Sequence, residues 1–129
     1  CIYLQDSHVN VHGYKVYGTP WVPYFGGWAF NLVTKEELAL KFKQIPSDVD
    51  ILITHGPPLD ILDSSWRGYN AGCEELRNEV LHRIKPKYHI FGHIHEGYGI
   101  YKTEHTTFIN ACCWAKKFQP PITFEIPEK

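Results

Sequence analysis

The stretch HIFGHIHEGY, His89 to Tyr98, decides how the rest of the chain is read. It opens inside an apolar β-run, Tyr88–Phe91, and passes through Gly92 into two histidines one residue apart. Successive side chains of an extended chain point to opposite faces, so His93 and His95 are expected to project the same way if the backbone stays stretched. Two imidazoles on one side suit a metal ion. Gly92 is expected to lend the backbone freedom and close approach that a crowded strand exit needs.

A second strand exit lies upstream. DILIT, Asp50 to Thr54, is an apolar β-branched run of the kind buried in a sheet, and HGPPL breaks it at His55. Between the two runs, Gly72 to Ile84 carries Leu76, Val80 and Leu81 at helical spacing and is stopped by Pro86, which predicts a helix. Ahead of DILIT, Thr34 and Glu37 form a capping box for KEELALKF, with Leu38 and Phe42 as its apolar stripe and Pro46 beyond its end. Shorter β-runs are expected at Ile2–Leu4, His8–Val11, Tyr14–Tyr17, Tyr98–Tyr101, Thr106–Asn110 and Ile122–Ile126. Gly18 to Asn31, GTPWVPYFGGWAFN, mixes glycine, proline and large aromatics without periodicity, and reads as an ordered loop whose rings could stack on a nucleobase. The fold class is α/β.

Composition narrows the function. A formal charge of -1 over 129 residues lacks the basic excess of a nucleic-acid binder, and 43% apolar residues suit a globular domain. No apolar run reaches the length of a bilayer-spanning helix and no signal peptide is evident, which gives a cytoplasmic expectation with no membrane partner. Cys1, Cys73, Cys112 and Cys113 contain no CxxC, so neither a zinc knuckle nor a disulfide scaffold is indicated. A cupin would need a glutamate where Gly99 and Ile100 stand, and an amidohydrolase barrel needs about 250 residues. His8, His12, His82, His89 and His105 lack the context of a strand exit and are assigned structural or solvent-facing roles. That leaves His55, His93 and His95 as candidate metal ligands.

ITHGPP, Ile53 to Pro58, followed by GHIH, Gly92 to His95, resembles the C-terminal half of the calcineurin-like metallophosphoesterases. YGTPW (Tyr17–Trp21), HEGYG (His95–Gly99) and FINA (Phe108–Ala111) are similar to the metallophosphoesterase domain-containing branch, whose members act as phosphodiesterases. The resemblance implies the C-terminal half of a metallophosphoesterase β-sandwich flanked by helices, acting on small phosphate esters or cyclic nucleotides. It implies two divalent transition metals, manganese, iron or zinc, in the full domain, with His55 and His93 as ligands of the second metal and His95 of the first. Such metals generate the attacking nucleophile and neutralise charge on the phosphoryl oxygens.

Three earlier motifs of that family precede these: an Asp-x-His, a Gly-Asp and an Asn-His. The last two are absent from residues 1–129, and Asp6-Ser7-His8 only mimics the first. The chain is therefore expected to be a single, incomplete domain, a truncated half that holds at most one metal weakly and is inactive alone. A half-sheet with open edges is expected to self-associate or to pair with the N-terminal half. The alternative is a non-catalytic binding or interaction module that keeps the sheet and the aromatic loop.

Overall fold

The computed structural model describes residues 1–114 and 117–129. Among them the strands are β1 (Ser7–Val11), β2 (Tyr14–Thr19), β3 (Val22–Pro23), β4 (Asn31–Leu32), β5 (Ile51–Thr54), β6 (Tyr88–Phe91), β7 (Gly99–Lys102) and β8 (Thr107–Asn110), with helices α1 (Lys35–Lys43) and α2 (Glu74–Glu79). Six strands form one mixed sheet in the order β1-β2-β5-β6-β8-β7. Its four central strands run parallel, and the antiparallel hairpin partners β1 and β7 close the two edges.

Local chemistry explains the helices. The Glu37 amide donates to the Thr34 hydroxyl at 3.2 Å and the Thr34 amide donates back to the Glu37 carboxylate at 3.1 Å, the reciprocal capping box expected at the start of α1. Helix α2 starts two residues later than the periodicity places it, and its last turn, Val80–Ile84, widens into a π-helix ending on Lys85 in the left-handed conformation. The Arg83 guanidinium donates to the Phe42 and Ile45 carbonyls, which ties the end of α1 to the π turn.

Both helices pack on one face of the sheet. Leu38 and Phe42 of α1, and Leu76, Val80 and Ile84 of α2 and its π turn, meet the row Tyr17, Leu52 and Phe108 in one buried cluster. The chain ends lie against parts of the opposite face, which leaves Ile53 of β5 exposed. Leu4 lies so close over Gly18 that a Cβ there would sit 2.5 Å from the Leu4 Cβ, and Phe124 stacks on Tyr88 at 4.7 Å. Here the sequence expectation needs correction: Ile2–Leu4 and Ile122–Ile126 are not strands. They lie along the sheet face, where Leu4 and Phe124 make contacts while Ile2 and Tyr3 stay exposed. The aromatic loop is also more regular than expected, because β3 and β4 pair in parallel inside it.

Candidate metal centre

Register brings the two motifs together. Ile51, Leu52 and Ile53 pair with Tyr88, His89 and Ile90. The pairing extends past the strand ends, where the Gly92 amide donates to the His55 carbonyl at 3.0 Å. The next side chains out, from His55 and His93, meet above this link: His55 Nε2 lies 3.1 Å from His93 Nδ1, with the ring centroids 4.8 Å apart. Gly56 packs tightly beneath Val22, where a Cβ would lie 3.3 Å from the valine side chain.

The backbone does not stay stretched. His93 has φ +65°, and His95 opens a single 3₁₀ turn, His95–Gly97. The alternation expected of His93 and His95 therefore does not apply, and the freedom expected of Gly92 is not used, since nothing lies within 4 Å of a Cβ there and its φ is ordinary. The strained residue is the histidine itself. The Ile94 amide closes a tight turn onto the Gly92 carbonyl at 2.7 Å, which holds that conformation.

His95 lines the same cavity as His55 and His93, a hollow of about 640 Å³. Among the described residues, however, no group of three or more His, Cys, Asp or Glu side chains converges as a metal cluster would. The structure thus pairs His55 with His93 and leaves His95 on the rim. Burial is the main cause holding the His93 imidazole below its ordinary pKa of 6.5, with His55 and His95 adding repulsion. A neutral ring is the metal-ligating form.

The pair fits a metal's donor set. Two nitrogens each about 2.0–2.1 Å from one ion, at the angles of tetrahedral or octahedral coordination, stand about 2.9–3.4 Å apart. The observed 3.1 Å falls in that interval. In the neutral pair one ring donates its proton to the other, and moving that proton to the ring's remaining nitrogen frees both facing lone pairs.

The turn carrying His95 is anchored from below. Asn110 is fully buried, and its amide donates to the Ile94 carbonyl at 2.8 Å and the Leu62 carbonyl at 3.0 Å, while its oxygen accepts from the Cys112 amide. Gly97 packs into the same knot, where a Cβ would fall 1.9 Å from the Leu62 oxygen. By contrast Asp6 of the Asp-x-His mimic is taken up by Thr19, Trp21 and Lys41, which together hold its carboxyl below the usual range against the raising effect of burial.

The facing wall is aromatic. Phe25 and Trp28 stand nearly perpendicular to the His93 ring at centroid distances of 6.3 and 6.4 Å, and Asn31 closes their loop by donating to both of their carbonyls. A second loop adds Trp66, Arg67 and Tyr69 to the lining, with the Arg67 guanidinium 4.9 Å from the Trp66 ring centre. Sequence reading missed this second loop. Its signal was SSWRGYN, an arginine among aromatics within turn-forming residues.

Residues 3–97 match the calcineurin-like phosphoesterase family. The chain belongs to that family. It is 50% identical over 133 residues to metallophosphoesterase domain-containing protein 1 of Homo sapiens, covering 98% of this chain and 40% of that protein. A UPF0046 protein of Caenorhabditis elegans is 46% identical over 129 residues, with 98% of this chain and 33% of the relative covered. The chain thus spans about 40% or less of the length of these relatives. A solved crystal structure aligns with TM-score 0.62 at 17% identity, over 84% of this chain and 45% of that one, which shows the shared fold. Calcineurin-like phosphoesterases generally use divalent metals.

Proposed function

We propose that this chain supplies the histidine wall of a dinuclear phosphodiesterase site that cleaves small phosphate esters, cyclic nucleotides among them. The observation that carries the reading is the 3.1 Å approach of His55 Nε2 and His93 Nδ1 at two adjacent parallel strand exits. These two would hold one divalent ion, and His95 would contribute to a second. Bound metals would supply Lewis acidity toward the phosphoryl oxygens and lower the pKa of a nucleophilic water. The remaining work belongs to side chains of this chain. Arg67 offers a cation to a phosphate oxygen, and the Phe25, Trp28 and Trp66 rings exclude water from one side of the cavity and pack against the ester's organic group.

The test joins the chain to an upstream segment carrying Asp-x-His, Gly-Asp and Asn-His motifs, and measures manganese-dependent hydrolysis of bis-p-nitrophenyl phosphate. Turnover that His95→Ala abolishes supports the reading. Turnover indifferent to changes at His55, His93 and His95 defeats it. A second reading, a non-catalytic binding module, is favoured by the exposed aromatic wall; it requires ligand binding that survives loss of the histidines.

A further inference from the structure

Four residues before His93, strand β6 carries another histidine that the site does not use directly. His89 is fully buried in the helix-facing row between Leu52 and Phe108, a place where an apolar side chain would pack without penalty. Its Nε2 lies 2.9 Å from the Thr54 hydroxyl of the neighbouring strand, and that hydroxyl lies 2.8 Å from the Gly56 carbonyl. A carbonyl only accepts, so the single hydroxyl proton goes to Gly56, and Thr54 must accept from His89 Nε2–H. The tautomer follows: Nδ1 is bare, and it has no hydrogen-bond partner among the described residues.

The relay has a direction. It begins in the core, crosses from β6 to β5, and ends on both sides of one residue, gripping the Thr54 side chain before His55 and the Gly56 carbonyl after it. We propose that His89 is a positioning residue for His55, fixing through Thr54 and Gly56 the turn that presents His55 Nε2 to His93. This rests on the reading of His55 and His93 as a metal-holding pair. It accounts for a polar ring in the core: the Nε2–H donor sets the exit angle of β5, which an apolar residue in the row could not do.

The test titrates the full chain with cobalt(II), read by its visible d–d absorption, under conditions where circular dichroism shows each variant folded. His89→Phe and Thr54→Val should each weaken cobalt binding about 10- to 100-fold, the range for residues that orient a metal ligand. The double variant should be little weaker than either alone, because both cut one relay. Thr54→Ser, which keeps the hydroxyl, should bind like the parent. Leu52→Val, a destabilising change in the same buried row, should leave affinity unmoved. Native affinity in folded His89→Phe, with His55→Ala binding abolished, overturns the positioning role alone. Unchanged binding in His55→Ala overturns the underlying pair, and the proposal with it. Should His89→Phe fail to fold, Thr54→Val gives the same decision from the other strand, and nitrogen-15 shifts of the parent showing a proton on His89 Nδ1 would refute the relay.

Discussion

The two walls of the cavity are built on different principles. The histidine wall grows from strand exits: His55 and His93 leave adjacent parallel strands, and buried polar groups, His89 and Asn110, hold the turns from beneath. The aromatic wall hangs on two loops whose glycines turn at positive φ, and its rings stay largely open, with Trp28 65% and Trp66 74% exposed. A metal ligand must be placed within a few tenths of an ångström, whereas a flat ring does its work over a range of positions. The difference teaches where precision is located: at sheet ends with a polar footing, and not at the large side chains that catch the eye in the sequence.

The comparison breaks most visibly at Gly97. Gly97→Ala would drive a methyl into the Leu62 carbonyl and the Asn110 amide. We expect a loss of about 3 kcal/mol or failure to fold, measured by urea unfolding, because backbone lies in the way and cannot rotate aside. Next comes the ligand pair. His93→Ala should weaken cobalt or zinc affinity by about 100-fold, equivalent to about 2.7 kcal/mol, since one nitrogen alone holds a divalent ion poorly.

A smaller effect sharpens the view of the footing. Burial holds the His89 pKa down at about 3, against 6.5 for a free ring. Below pH 6.5 the unfolded chain therefore takes up a proton that the folded one refuses, and stability present above that value is lost as pH falls toward 3. The slope should approach about 1.4 kcal/mol per pH unit. His93, also depressed, adds in the same direction, while Asp6, Asp48 and Asp50, depressed carboxylates, lose their contribution only at lower pH. Urea midpoints at pH 7 and pH 5 should thus converge in His89→Phe relative to the parent. The smallest effect belongs to the other wall: Trp28→Ala should move stability by no more than about 0.5 kcal/mol and leave cobalt affinity unchanged. A large loss there would show the aromatic wall to be structural.

Much of this was legible before any coordinates. The capping box of α1, the buried runs at DILIT and Tyr88–Phe91, and the histidines at their exits are local patterns, and local physics decides them. What escaped was nonlocal. Whether Ile2–Leu4 and Ile122–Ile126 pair with a strand or lie along a face depends on which edges are already occupied, and no pattern within those segments records that. The left-handed turn at His93 was hidden because the neighbouring glycine is the residue one expects to bend. The sequence assigns His89 a structural or solvent-facing role and its burial fits the structural one, but its bond to Thr54 beside His55 arises only from the parallel register of β5 and β6.

The left-handed backbone at His93 also has an evolutionary consequence. A side chain with a Cβ costs about 1–2 kcal/mol in that conformation; glycine would remove the cost, and asparagine would offset it with a local hydrogen bond. Under selection for folding alone, His93 is therefore lost more readily than His55, because its first improving substitution removes the imidazole. A lineage that keeps histidine here is being held by something other than stability. A drift experiment on this chain, selecting only for soluble expression, should enrich glycine and asparagine at 93 ahead of 55, where no such strain exists.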